Sequence, residues 1–284
     1  MTFSLVIPLF NGKGTIEKLL DSIFNQKLKD FEVIIIDNGS NDGCVDLIKK
    51  KFSDLKLIIN RVNLGAAYAR NQGIAVSKGD WILTLDCDCI LEDDFLLKAL
   101  DAIKTLPKEC GIIQPKILAL DGKTIYSCGI HFSFLRKFYD IGSKRVDSLK
   151  FSQRKYVFGA CSACALYKKE MLQALLQDTG YFDNDLFFLF EDADLAWRAR
   201  KKNWKAIFLP DIKCFHEGES YPANKKLRQY LCYRNRYLAI SKNEGILLYA
   251  VKLFPLILYD LPKAVQMAFT NTYFRKSLFK KVNI

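Results

Sequence analysis

Residues 4–24 read SLVIPLFNGKGTIEKLLDSIF. A short apolar run rich in β-branched residues at Ser4–Leu9 is followed by Thr15–Phe24, where apolar side chains recur at three- and four-residue spacing. The first pattern predicts a buried strand and the second an amphipathic helix. The change of period across a glycine-containing turn indicates the strand–loop–helix unit of an α/β fold.

The same alternation continues through the first hundred residues. Strands are predicted at Phe31–Ile36, Leu55–Ile59 and Trp81–Leu85, with helices at Val45–Phe52 and Ala66–Val76. This order predicts a mostly parallel central sheet with helices on both faces. Ligands of such sheets bind beyond the carboxyl ends of the strands. The loops that start at Phe10, Asp37 and Asp86 are therefore expected to form the binding site.

The pattern loosens in the second hundred residues. Helices are predicted at Asp93–Leu106, Lys169–Leu176 and Asp192–Lys202, and strands at Cys110–Leu118, Thr124–Phe132, Tyr156–Leu166 and Lys205–Leu209. A hairpin turn is predicted at Asp121-Gly122, and the basic connection 134–155 shows no clear period. We expect a catalytic domain over residues 1–220 and a helical extension over residues 221–284.

The extension is strongly basic. The chain has 284 residues and a net charge of +12, and residues 221–284 alone contribute +10 of it. A helix is predicted over 225–244. Ile246–Tyr259 is the most apolar stretch, but it has 14 residues, and a membrane span needs roughly 20. The pattern favours a helix in the interface of an anionic leaflet; an ordinary core-packing helix with a solvated basic end is the alternative.

Compartment and partners follow from similar counts. Nine cysteines, an odd number spread along a long chain, do not resemble a disulfide framework. The amino-terminal residues lack the pattern of a secretory signal peptide. The sequence therefore predicts a cytoplasmic protein, peripheral at the cytoplasmic face of the membrane. No nucleic-acid-binding motif is present, so no nucleic-acid partner is expected.

The sharpest chemical feature is LTLDCD at Leu83–Asp88. An apolar strand ends in Asp86 and Asp88, and side chains at i and i+2 of an extended chain point the same way. Two carboxylate ligands at one sheet edge suit Mg²⁺ or Mn²⁺. The alternative is a solvated turn acid followed by a helix-capping acid.

A second acidic cluster, Glu191, Asp192 and Asp194, follows an aromatic run at Tyr181–Leu189. Acids in a first helical turn also complement the helix dipole. An acid at the edge of an apolar pocket, however, would be tuned toward general-base work. His216 follows the last predicted strand and is expected in a loop, where it is either an ordinary loop residue or a metal ligand.

Taken in order, these segments resemble the family 2 glycosyltransferases of GT-A fold, especially the rhamnosyltransferase-like members. The resemblance runs from Val6 to about Asn243. The matching segments are VIPLFN (Val6–Asn11), DNGSNDG (Asp37–Gly43), NLGAAYARNQGI (Asn63–Ile74), LTLDCDCILEDDF (Leu83–Phe95), GACSACALYKKEML (Gly159–Leu172), GYFDNDLFFLFEDADLAWRARKKNWKA (Gly180–Ala206), FHEGES (Phe215–Ser220) and YRNRYLAISKN (Tyr233–Asn243).

The resemblance implies a role for each matching residue. Asp37, helped by the backbone after Pro8, would contact the nucleotide base, and Asn63 and Arg70 would line the nucleotide and diphosphate side. The remaining implied roles are metal binding by Asp86, Asp88 and His216, catalysis by the base Asp192, and smaller contributions from Glu191 and Asp194. One departure is that Cys87 and Cys89 flank Asp88, which leaves open which aspartate touches the metal.

The resemblance implies an inverting, metal-dependent glycosyltransferase. The expected donor is a nucleotide-diphosphate sugar, and the expected acceptor is a hydroxyl of a cell-surface glycan precursor, lipid-linked and met at an anionic membrane surface. The expected cofactor is Mn²⁺ or Mg²⁺. The alternative is a non-catalytic nucleotide-sugar-binding or scaffold homologue of the same fold. The sugar, the base and the oligomeric state stay open.

Overall fold

The structure is a computed structural model that describes residues 1–218, 225–245 and 255–279. Its strands are β1 (Phe3–Leu9), β2 (Phe31–Asp37), β3 (Lys56–Ile59), β4 (Trp81–Leu85), β5 (Cys89–Leu91), β6 (Cys110–Ala119), β7 (Ile125–Ser127), β8 (Ile130–Phe132), β9 (Phe138–Asp140), β10 (Lys155–Val157), β11 (Cys164–Lys168) and β12 (Lys205–His216). Its helices are α1 (Ile16–Phe24), α2 (Cys44–Lys51), α3 (Ala66–Val76), α4 (Phe95–Thr105), α5 (Lys169–Leu175), α6 (Glu191–Lys201), α7 (Lys225–Asn243), α8 (Leu261–Thr270) and α9 (Thr272–Ser277).

The described residues form one central sheet in the order β10-β12-β6-β11-β4-β1-β2-β3. Strands β3, β2, β1 and β4 pair in parallel, and so do β6 and β12. Strand β11 runs antiparallel to both β4 and β6, between the two parallel groups. The α/β fold with a mostly parallel central sheet is therefore confirmed. The carboxyl ends of β1, β2 and β4 share one edge, because they are parallel.

Helices cover both faces of the sheet. One apolar cluster joins the sheet to α1, α2 and α4, and a second joins it to α3, α5 and α6. Strand β1 serves both clusters, because Leu5 and Ile7 face the first while Val6 faces the second. A strand buried on both sides reads as a continuous apolar run, which is what the opening segment shows.

The elements predicted in the first hundred residues are present, with ends shifted by at most two residues, but the short strand β5 was not predicted. The predicted strand Thr124–Phe132 is wrong as a single element, because Gly129 adopts φ +107° and the chain turns between β7 and β8. The predicted strand Tyr156–Leu166 is also two strands, β10 and β11. Strand β12 is longer than predicted. It continues through Pro210 and Asp211 with a register shift, so His216 ends a strand and does not lie in a loop.

Helix α7 confirms the helix predicted over 225–244. The apolar stretch Ile246–Tyr259 falls largely outside the described residues, which resume at residue 255. From there a π-helical turn, Leu256–Asp260, leads into α8. Among the described residues, none of the helices has the length and apolarity that crossing a bilayer requires. The division of the chain at residue 220 stays a prediction.

Candidate active site

A cavity of about 250 Å³ opens at the carboxyl edge of the parallel strands. Its floor comes from the residues that follow β1 and β4, and one wall comes from residues 187–192. Seven of the predicted site residues line it: Pro8, Asn63, Arg70, Asp86, Glu191, Asp192 and His216. Segments that are far apart in sequence therefore meet at one opening, as the topology of an open α/β sheet leads us to expect.

Asp86, Asp88 and His216 converge beside this cavity. Strand β5 pairs with β12 so that Cys89 lies opposite His216. This pairing places the His216 Nε2 atom 3.0 Å from Asp88 Oδ1 and 3.9 Å from Asp86 Oδ2. Asp88 Oδ2 also accepts the Gly218 N–H at 3.1 Å. Burial lowers the pKa of His216, but the hydrogen bond and charge of Asp88 outweigh it and raise that pKa above its usual value.

These donors fit a divalent cation. Carboxylate and imidazole donors form a set that Mn²⁺ accepts readily, and both aspartates approach the His216 imidazole. The His216 Nδ1 atom is buried without a hydrogen-bond partner among the described residues. The candidate ligand atoms that lie within 4.8 Å of one another belong to Asp88, Cys89 and His216, and this group does not include Asp86. The Cys89 thiol is fully buried, however, and donates to the Ala163 carbonyl at 3.1 Å, so oxygen and nitrogen donors define the site.

Arg70 joins the metal-side acid to the second acidic cluster. Its guanidinium lies 2.7 Å from Asp86 Oδ1 and 2.6 Å from Glu191 Oε1, and its side chain is only 2% exposed. The ring of Phe182 packs 5.7 Å from its Cζ atom. Arg70 therefore orients two acids from a buried position. Arg70 also lines the cavity, but its Nη1 and Nη2 atoms are already bonded to Glu191 and Asp86.

Asp192 lines the same cavity from the first turn of α6. Its Oδ2 accepts the Ser162 N–H at 3.2 Å and its Oδ1 accepts the Ala193 N–H at 2.7 Å. Burial and the nearby charge of Asp140 raise the pKa of Asp192 to about 6. Burial also raises the pKa of the neighbouring Glu191, against the opposing charge of Arg70. A carboxyl in this range can accept a proton near neutral pH.

The wall before Asp192 is a strained loop, residues 187–190. Phe187, Leu189 and Phe190 have φ values of +61°, +72° and +71°. Each such conformation in a non-glycine residue costs of order 1–3 kcal/mol and persists only where surrounding contacts impose it. The aromatic run that sequence patterning marked as a pocket edge is therefore a wall held in shape by its neighbours.

Two predicted site residues point elsewhere. The Asp37 residue is 1% exposed, and its carboxylate accepts N–H groups from Gly39 and Ser40. It closes the turn after β2, and the neighbouring Asn38 lines the cavity. The Asp194 carboxylate pairs with Arg198 and accepts from the Asn243 amide, so a buried network occupies it. The predicted roles of Asp37 at the base and of Asp194 in catalysis stay predictions.

Sequence patterning missed Asp140 and misplaced Cys161. Asp140 ends β9, inside the connection that showed no period, and its carboxylate accepts from the Ser127 hydroxyl at 2.6 Å. It lines the cavity, and burial raises its pKa. Cys161 falls within a predicted strand, but it lies in the segment between β10 and β11 and also lines the cavity. No periodic signal marks such residues, because the fold brings their loops together.

Comparison with known proteins identifies the family. Residues 4–176 match the model of glycosyl transferase family 2. This match covers more than half of the chain, so the chain belongs to glycosyl transferase family 2. The expected class, a glycosyltransferase domain of GT-A fold, is confirmed; the rhamnosyltransferase-like subtype stays a prediction.

A curated relative is the poly-beta-1,6-N-acetyl-D-glucosamine synthase of Staphylococcus epidermidis, 26% identical over 229 residues. That match covers 75% of this chain and 49% of the relative, so the chain spans about half the length of that protein.

Two solved structures show the same fold. S. aureus TarS 1–349 in complex with UDP-GlcNAc has a TM-score of 0.56 at 17% identity and covers 99% of this chain and 77% of that one. The mannosyltransferase PcManGT from Pyrobaculum calidifontis, in complex with GDP-Man and Mn²⁺, has a TM-score of 0.59 at 17% identity and covers 97% and 77%.

Proposed function

We propose that this protein is an inverting, metal-dependent glycosyltransferase that moves a sugar from a nucleotide-diphosphate donor to a hydroxyl of a cell-surface glycan precursor. The observation that carries the proposal is that Asp86, His216 and Asp192 all line one cavity. The similarity to structures solved with UDP-GlcNAc or with GDP-Man and Mn²⁺ supports the donor class and the cation.

The donor lies along the edge of β1 and β2 in this proposal. Pro8 and the following backbone, with Asn38 and Asn63, line that part of the cavity and offer surface and amides to the nucleoside. Asp86, Asp88 and His216 are the residues that would hold the cation. When bound, a divalent cation supplies positive charge that stabilises negative charge developing on the diphosphate. Arg70 keeps the Asp86 carboxylate in place from behind.

Asp192 acts as the base in this proposal. Its carboxylate takes the proton from the acceptor hydroxyl, and that oxygen forms a bond to the anomeric carbon. The bond from that carbon to the diphosphate oxygen breaks, and the nucleoside diphosphate leaves with the electron pair. Attack opposite the leaving group inverts the anomeric centre in one step. No covalent enzyme intermediate is needed.

The experiment is a donor screen followed by one substitution. The full chain is incubated with Mn²⁺ and a panel of nucleotide sugars, and thermal stabilisation selects a donor for turnover assays. Asp192→Asn is expected to lower kcat about 10²–10⁴-fold, the usual contribution of a positioned base, while nucleotide binding stays unchanged. The exposed Asp211 provides a matched control, Asp211→Asn, expected to keep full activity.

The pH dependence gives the same test a second readout. Because the pKa of Asp192 is raised to about 6, the base is protonated below that pH, and kcat should fall as the pH drops through 6. Turnover that survives Asp192→Asn with an unchanged acid limb would contradict the base assignment. Nucleotide binding without any turnover in the native chain would favour the non-catalytic homologue.

We also propose that the extension docks on an anionic membrane, where a lipid-linked acceptor would be met. Ile257, Leu261, Val265 and Phe269 recur every four residues, and each is more than half exposed. Apolar residues at this spacing share one helix face. Lys263, Arg275 and Lys276 lie near this stripe, in a segment of net charge +10, so charge complementarity selects anionic lipids.

Vesicle flotation tests the docking. The chain should float with vesicles containing anionic lipid and not with neutral vesicles, and high salt should weaken the binding. The double variant Val265→Glu/Phe269→Glu should lose at least tenfold in bound fraction. Leu149 is 88% exposed and lies outside the extension, so Leu149→Glu is the control and should float normally. Equal flotation with neutral and anionic vesicles would contradict the proposal.

A further inference from the structure

A single buried amide on α7 contacts three carbonyl groups in and just before the strained loop. The Asn235 residue is fully buried, and its Nδ2 atom lies 2.8 Å from the carbonyl oxygens of Leu186, Phe188 and Leu189. Its Oδ1 accepts from the Arg234 guanidinium at 2.8 Å. The arrangement fixes the orientation of the amide, because only the NH₂ group can face three acceptors.

The loop needs such a partner. Three of its residues, Phe187, Leu189 and Phe190, have positive φ. This backbone path turns neighbouring carbonyl groups toward one point, where their like partial charges oppose each other. Two amide hydrogens shared among three oxygens offset that repulsion, and within a buried setting such bonds are costly to lose.

The loop also connects two sides of the cavity. Its carboxyl end is Phe190, the residue before α6, so the second residue after the loop is Asp192. Its amino end lies on α3, where the Phe187 carbonyl accepts the Ala67 N–H at 3.2 Å. Asn235 acts between these ends, so the position of its amide determines the path by which the chain enters α6.

We propose that Asn235 is a positioning residue for the cavity wall: its amide holds residues 186–189 in the strained path that sets the location of Asp192. The consequence for catalysis rests on the proposed function, since it takes Asp192 as the base. The consequence for structure, which is the path of residues 186–189, does not rest on the proposed function. The proposal gives α7, in the predicted extension, a direct role in the geometry of the site.

The test uses Asn235→Asp, which keeps the shape of the side chain but replaces both donors with an acceptor, and Asn235→Ser, which keeps one donor. The matched control is Gln26→Glu, which makes the same amide-to-carboxylate change. Gln26 is also fully buried, and its amide donates to the Ser22 and Glu92 carbonyls, away from the loop. Hydrogen exchange of the amides at 186–192 is measured for each full-length variant, with nucleotide binding and the pH dependence of kcat.

Asn235→Asp should raise exchange at 186–192 at least tenfold and lower kcat at least tenfold, with nucleotide binding within twofold of the native value. The acid side of the kcat–pH profile should move to lower pH. A loosened wall lets water reach Asp192, and this reduces the effect of burial that raises the pKa of its carboxyl. Asn235→Ser should fall between, and Gln26→Glu should match the native chain at 186–192.

If hydrogen exchange at 186–192 in Asn235→Asp equals that of the native chain, the proposal that the Asn235 amide holds residues 186–189 is overturned. Raised exchange with unchanged kcat and pH profile would overturn its role in positioning the base. If the native chain turns over no donor, only the proposed function fails. The exchange measurements still decide whether the Asn235 amide holds residues 186–189.

Discussion

The two sides of the cavity are built in different ways. The parallel half, comprising β1–β4 with α1–α3, consists of regular elements joined by short loops. The wall segments, residues 125–163 and 183–190, consist of three-residue strands, turns and residues with positive φ. Hydrogen bonds within regular elements fix the first region. Contacts from remote side chains, such as Asn235, fix the second.

The two regions have different tasks in the proposed mechanism. The parallel half binds the donor, and a diphosphate is common to all donors of this class. The wall segments adjoin the base, Asp192, at the start of α6 and face the acceptor. A wall shaped by side-chain contacts can change with few substitutions, while the parallel half tolerates less change because a one-residue slip would turn its buried faces outward.

The largest effect is expected at the contact that joins the two regions. Arg70 belongs to the parallel half and pairs with Asp86 there and with Glu191 beyond the strained loop. Arg70→Met keeps much of the apolar volume of the side chain but leaves the Asp86 and Glu191 carboxylates without the positive charge of the guanidinium. Breaking a buried ion pair in this way costs about 3–5 kcal/mol, so a large loss of unfolding free energy in urea is expected.

Two further variants sharpen this prediction. Glu191→Gln removes one of the stranded charges, so Arg70→Met/Glu191→Gln should recover part of the lost stability. Lys98→Met breaks a pairing with Glu92 and Asp94 that is over one-third exposed at the lysine, and surface pairs are worth about 0–1 kcal/mol. If Arg70→Met costs no more than Lys98→Met, the contact does not link the two regions energetically.

The same division explains what could be read from the sequence. Strands such as Trp81–Leu85 and helices such as Ala66–Val76 match the prediction to the residue, because their signal is local periodicity. Asp86 and His216 could be paired only through a family resemblance. Their proximity depends on β12 running past Leu209, where the predicted strand ended.

The wall segments escaped prediction for a physical reason. Asp140 follows a stretch without hydrophobic period, and its position is set by the pairing of β8 with β9. The path of residues 187–190 depends on Asn235, which lies more than 40 residues further along the chain. Local propensity disfavours positive φ at phenylalanine and leucine, so sequence reasoning alone would reject the conformation that the tertiary contacts impose.

A smaller effect is expected where a glycine of the parallel half touches the strained loop. Gly65 precedes α3 with φ +90°, and a Cβ atom there would lie 2.5 Å from the Phe187 carbonyl oxygen. Gly65→Ala must therefore strain its own backbone and displace the loop. We expect a loss of about 1–3 kcal/mol in unfolding free energy, the usual range for overpacking, measured by urea denaturation.

The matched control is Gly14→Ala, also in the parallel half. Gly14 has open space at the Cβ position and no positive φ, so a change within about 0.5 kcal/mol is expected. Because Gly65→Ala pushes on the loop from the side opposite Asn235, it should also raise hydrogen exchange at 186–192. The contradicting result would be equal stability of the two glycine variants, with hydrogen exchange at 186–192 unchanged in both. The loop would then adjust without cost, and contacts with α3 and α7 would not hold its path.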